Sequence, residues 1–185
     1  MGMTTRAKKP WTADELFRLP EGWRYEIDEG ELVITSPAGR RHGRLVANVT
    51  RILGNFVTMH NLGEVESGEV GFYLQHDPET LRGVDVAVYS SERVEEMGRD
   101  EDGFPDVAPD IAVEVHRPDE SGMQRKVQQY LAAGVRSVWV LDPRQRTLAQ
   151  HRPGEAPRVI ADMDAMVEEP VLPKFECRLR DLFGE

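Results

Sequence analysis

The chain has 185 residues, of which 39% are hydrophobic and 30% charged, with a formal net charge of -10. It is long enough for one domain with a substantial core. No apolar run nears the roughly 20 residues of a membrane span and no signal-peptide pattern opens it, so a cytoplasmic protein is expected. The single cysteine, Cys177, excludes an intrachain disulfide and a cysteine-based zinc site.

Residues 1–10 are expected to be a flexible segment, and the rest a single domain. Thr12-Ala-Asp-Glu15 reads as a capping box opening a short helix that stops near Pro20. Tyr25 to Ser36 reads as a hairpin turning at Asp28-Glu-Gly30. From about Arg40 to His60 the period becomes helical. Leu45, Val49, Ile52, Leu53 and Phe56 make an apolar stripe, and Arg44, Asn48, Arg51 and Asn55 a polar one. Residues 63–74 suggest strand, and Asp77-Pro78 turns the chain into a strand around Asp85. Ser91 to Met97 reads as a short helix and Gly98 to Pro109 as a polar loop. A strand around Glu114 precedes a helix from about Glu120 to Ala133, ended by Gly134. Ser137 to Leu141 is a strand stopped by Asp142-Pro143, with Thr147 to Arg152 as its hairpin partner. The C-terminal region, with Pro153, Pro157, Pro170 and Pro173, reads as loop-rich, closing with a short segment from Leu179 to Phe183. An α/β or α+β domain on a mixed sheet follows.

Two strands place charge where a buried strand should have none. Ile111, Val113 and Val115 alternate on one face, leaving Asp110, Ala112, Glu114 and His116 on the other. Val84, Val86 and Val88 likewise oppose Asp85, Ala87 and Tyr89. A carboxylate within an apolar strand costs several kcal/mol unless a cation meets it. Lys126 follows in a helix with a mixed face. The pattern suggests a site for a divalent cation and a phosphate.

The charge is unevenly spread. Residues 64–110 hold fourteen acids against three arginines, whereas residues 36–60 hold Arg40, Arg41, Arg44 and Arg51 and no acid. The negative total counts against nonspecific nucleic-acid binding, and the local basic element permits it.

Six short motifs occur in order: Tyr25-Glu26-Ile27, Arg41-His42-Gly43, Arg82-Gly-Val-Asp-Val-Ala87, Pro109-Asp-Ile-Ala-Val-Glu-Val115, Lys126…Tyr130…Ala133-Gly-Val135 and Trp139-Val-Leu-Asp-Pro143. In order and spacing this set resembles the Uma-type endonuclease family of the restriction-endonuclease-like PD-(D/E)XK superfamily. The resemblance runs from about Trp11 to Phe183. It implies a central mixed sheet flanked by helices and a magnesium-dependent phosphodiesterase centre, manganese being a possible substitute. By position, Asp85 matches the first motif aspartate, Glu114 the strand glutamate, and Lys126 a lysine supplied from the following helix. Glu26 matches a third acid. The usual superfamily lysine position is held here by His116. Val84 stands where a proline is usual, and His116-Arg117 where a leucine-serine pair is more common. The second departure is expected either to retune the activity or to mark its loss.

Magnesium takes hard oxygen ligands and keeps several waters, so Asp85 and Glu114 on adjacent strands would suffice, with Glu26 in support. Asp110, four residues from Glu114, is roughly 13 Å away and is not expected to share that ion. Lys126 would orient water or stabilise developing charge, while Arg41, His42, Arg44 and His116 would touch substrate. Blander readings stand beside these. Asp85 and Glu114 would form an ion pair with an arginine, Lys126, Glu26 and His42 would be surface residues, and the arginine stripe would be a solvated face. Trp139 and Tyr130 read as core. The expected function is a magnesium-dependent endonuclease acting on DNA, with a possible homodimer and no membrane. The alternatives are a catalytically silent nuclease-fold binding or regulatory module, and a metal-dependent hydrolase of a small phosphate ester.

Overall fold

A computed structural model describes residues 9–20, 23–98, 103–116 and 122–185. The expected flexible segment therefore lies largely outside the described residues, as does Arg117.

The hairpin forms as β1 (Arg24–Asp28) and β2 (Glu31–Thr35), after the short α1 (Ala13–Leu16). It turns on Glu29 and Gly30, both at positive φ, the two-residue geometry whose twist suits paired strands. α2 (Arg40–His60) buries Leu45, Val49, Leu53 and Val57, a stripe at three-four spacing. β3 (Gly63–His76) and β4 (Glu79–Ser90) make a second, long hairpin. α3 (Ser91–Met97), β5 (Ile111–Val115), α4 (Met123–Ala132), β6 (Ser137–Asp142) and β7 (Thr147–His151) follow.

The region expected to be loop-rich holds three further strands: β8 (Arg158–Ile160), β9 (Met166–Glu169) and β10 (Phe175–Arg178), before α5 (Leu179–Phe183). Its four prolines all lie outside these strands. They punctuate turns, and three or four residues between turns leave little periodicity to read. Glu169 fixes the β9–β10 pair to the main sheet. Its buried carboxylate accepts from the Ser137 hydroxyl and from Trp139 Nε1, both at 2.7 Å.

The main sheet runs β2-β1-β4-β5-β6-β7-β8, with β3 on the other side of β4. β5 and β6 are parallel, joined through α4, while the other pairs are antiparallel. α2 covers one face, packing on Val86, Val88, Ile111, Val113 and Val115. α4 covers the other, where Val127 and Tyr130 pack with Val84, Ala87, Tyr89, Ala112 and Val138. No helix of the described residues is long and apolar enough to cross a membrane.

One edge of β4 is shared by two partners. Leu81 pairs with Ile27 of β1, and Val86 to Val88 pair with Val113 to Ile111 of β5. Arg82 to Asp85 lie in the fork between. Opposite the fork, β3 carries a bulge between Ser67 and Val70. Gly68 and Glu69 there are both at positive φ. The alternation expected along β4 slips at this point: Val84 packs beneath α4, whereas Val86 and Val88 pack beneath α2. A bulge on one side and a missing ladder partner on the other release the strand to twist.

Candidate active site

A fork leaves backbone groups without ladder partners, and buried groups of that kind must be satisfied by something else. Here side chains do it. Gly83 N–H donates to Glu26 Oε1 at 3.0 Å, Gly83 C=O accepts from the Tyr130 hydroxyl at 2.7 Å, and Val115 N–H donates to Asp85 Oδ2 at 2.7 Å. The fork thus draws charged side chains inward and fixes their orientation.

Five sequence-predicted residues meet there. Lys126, on the buried face of α4, places Nζ 3.0 Å from Glu26 Oε1 and 3.0 Å from Glu114 Oε1. Asp85 and Glu114 line one cavity of about 20 Å³ together with Glu26, His42, Glu69 and Lys126. A void of roughly 10–15 Å³ already admits one water, so this one takes a single small species. Nε2 of His42, in the first turn of α2, stands 2.9 Å from Asp85 Oδ1. Glu26, which its strand pattern left open as a surface residue, faces inward. Arg82 pairs with it at 2.9 Å and with Asp28 at 2.7 Å.

Burial pushes the Glu114 carboxyl up to about 8, with Asp85 and Glu26 adding to the rise and Lys126 and Tyr130 opposing it. The geometry agrees. Tyr130 Oη lies 2.6 Å from Glu114 Oε1 and 2.7 Å from Gly83 O, and one hydroxyl proton cannot serve both. A proton on Glu114 resolves the conflict. Burial also pushes Glu26 up, but the charges of Lys126 and Arg82 outweigh it and hold that carboxyl below its usual range.

The site is therefore rich in buried carboxylate oxygen, with one carboxyl driven to keep its proton. Such a donor set suits a divalent cation, whose charge would replace that proton. Carboxylates of Asp85, Glu114 and Glu69 and the imidazole of His42 are the groups able to hold one. Glu26 has both oxygens engaged, one by Gly83 N–H and Lys126 and the other by Arg82, whereas Glu114 has Oε1 engaged by Lys126 and Tyr130, and Glu69 has Oε1 engaged by Arg24.

Two participants escape a sequence reading. Glu69 is one of many acids along β3, and Gly68 before it, which breaks the strand, is the only signal of a bulge able to re-aim it. Tyr130, read as core, is fully buried but contributes its hydroxyl to the site.

The remaining residues fall elsewhere. Arg41 and Arg44 line a separate pocket of about 310 Å³ with Arg144 and Arg146. His116 is not among the cavity residues. Its N–H donates to Leu141 O at 2.8 Å, and its Nδ1 is buried without a hydrogen-bond partner among the described residues. Asp110 is structural: it accepts from Ser90 N–H at 2.7 Å and pairs with Arg93 and Arg136. Trp139 is core.

A mixed sheet between helices, with acids and a lysine gathered where its strands fork, defines a restriction-endonuclease-like fold. The chain belongs to the Uma2 family, described as putative restriction endonuclease, which matches residues 13–180. Among solved structures it is similar to a putative nuclease of the DUF820 group from Anabaena variabilis ATCC 29413. The TM-score is 0.78 at 24% identity, covering 94% of this chain and 98% of the other. No curated protein matches the chain.

Proposed function

We propose that this protein is an endonuclease that hydrolyses phosphodiester bonds in DNA with a bound divalent cation, magnesium or manganese. The observation that carries the reading is the convergence of Asp85, Glu114 and Lys126 at the fork in β4, beside a cavity sized for one small species. Family membership supports it.

When bound, the cation supplies Lewis-acid polarisation of the phosphate and a more acidic water. Asp85 offers Oδ1, because Oδ2 is fixed by Val115 N–H. Glu114 offers a carboxylate once its proton leaves. Lys126, held between two acids, presents its ammonium beside the same cavity, where it stabilises negative charge developing on phosphate oxygen. Glu26 positions Lys126, and Arg82 in turn positions Glu26.

One observation favours the catalytically silent module. The chain of ion pairs Lys126–Glu26–Arg82–Asp28 already balances its acids with the protein's own cations. A plasmid-nicking assay in magnesium, manganese or chelator separates the readings. Metal-dependent nicking by the wild type, absent with chelator and lost in Asp85→Asn, is expected. No nicking under any metal from folded protein rejects the endonuclease. Turnover of a simple model diester without plasmid nicking transfers the case to a small-ester hydrolase.

A further inference from the structure

One of the groups around the cavity is a nitrogen donor. Single ligand atoms of His42, Glu69 and Asp85 all lie within 4.8 Å of one another. On an octahedral ion with bonds of roughly 2.1 Å, neighbouring ligand atoms are roughly 3.0 Å apart and opposite ones roughly 4.2 Å. The 2.9 Å between His42 Nε2 and Asp85 Oδ1 matches a neighbouring pair.

His42 gains little structurally from its position. It is 8% exposed, and its Nδ1 is buried without a partner among the described residues. Its one polar contact there is the Asp85 oxygen that Val115 leaves available. Glu69 sits in the β3 bulge at a φ of 65°, a left-handed conformation unfavourable for a non-glycine residue. The bulge turns its carboxylate to the same cavity, where its Oε1 also pairs with Arg24. Glu26 has both oxygens engaged by cations or N–H groups, as described above, so its part is to hold Lys126.

We propose that His42 and Glu69 complete, with Asp85, a mixed imidazole and carboxylate site for a transition-series divalent ion, so that the protein binds manganese in preference to magnesium. The inference rests on the metal-dependent reading above and names its ligands and its ion. Magnesium and manganese both take carboxylate oxygen, and manganese, as the first member of the transition-metal series, tolerates one imidazole among those oxygens better than magnesium does.

Calorimetric titration of the full chain with MnCl2 and with MgCl2, and pulsed EPR of the manganese complex, test it. Manganese is expected to bind roughly tenfold or more tightly than magnesium. The EPR signal is expected to carry nitrogen modulation from a coordinated imidazole. His42→Ala loses the modulation and the preference, while Glu69→Gln weakens manganese binding roughly tenfold and keeps the modulation. Histidine-specific 15N labelling of the unaltered protein reads the same ligand without a substitution. Manganese bound with no nitrogen coupling, or coupling that persists in His42→Ala, overturns this inference and leaves the nuclease reading standing. Folded wild type that binds neither ion overturns both.

Discussion

Arg82 shows how much of this site is maintained by single residues. It is 7% exposed and pairs with both Glu26 and Asp28. Replacing it with Met would leave Glu26 only Lys126, and Asp28 only the half-exposed Arg125, as cation partners among the described residues. Removing one partner of a buried pair typically costs about 3–5 kcal/mol. Arg82→Met is therefore expected to lower the unfolding free energy by no more than about that amount, read as the shift in denaturant midpoint multiplied by the slope, and adding Glu26→Gln and Asp28→Asn should recover most of it. A single substitution that unfolds at the wild-type midpoint would show that the network contributes nothing net. Residue identity at this scale was readable in part. A carboxylate in an apolar strand marks itself, which is why Asp85 and Glu114 stand out. Glu69 does not, because its direction comes from a bulge and its neighbours in sequence are also acidic.

At the scale of elements, what could be read depended on periodicity. α2, at 21 residues, repeats its apolar stripe often enough to be unmistakable. β8, β9 and β10 have three or four residues each, too few to alternate visibly, and the prolines around them suggested loop. The fork in β4 was equally hidden, since it follows from how β1 and β5 share an edge and not from any local pattern. The small β9–β10 sheet gives a testable consequence. Burial, reinforced by Asp181, pushes the Cys177 thiol up to about 12. The folded thiol therefore keeps its proton where the unfolded one, near 9, would lose it. Its contribution to stability is full below about pH 9 and declines as pH rises toward 12. Iodoacetamide at pH 8 is expected to label native Cys177 far more slowly than the unfolded chain. Glu169→Gln, which weakens the charge-assisted bonds anchoring this sheet, should accelerate labelling. Equal rates for native, variant and unfolded protein would contradict the burial.

Across the whole molecule, charge is segregated. A body of net charge -10 carries a pocket walled by Arg41, Arg44, Arg144 and Arg146, with Glu185 paired to Arg146. Arg41 immediately precedes His42 in α2, but the two cavities share no lining residue. A few phosphate contacts on an acidic body predict weak DNA binding with a shallow salt dependence. Reversing Arg41 and Arg44 to Glu should weaken binding alike across sequences, because phosphate contacts position without specifying. Unchanged affinity in a filter-binding titration would assign the pocket to a solvated surface.

In the proposed reaction Lys126 acts on the chemistry and not on the metal. Single-turnover plasmid cleavage by Lys126→Met, measured beside manganese affinity on the same preparation, tests that most directly. Cleavage is expected to fall by about two orders of magnitude or more, the scale of removing one donor to a transition state. Manganese affinity should be unchanged or tighter, since a cation leaves the carboxylate cluster. Cleavage at the wild-type rate by folded Lys126→Met would contradict a chemical role for Lys126.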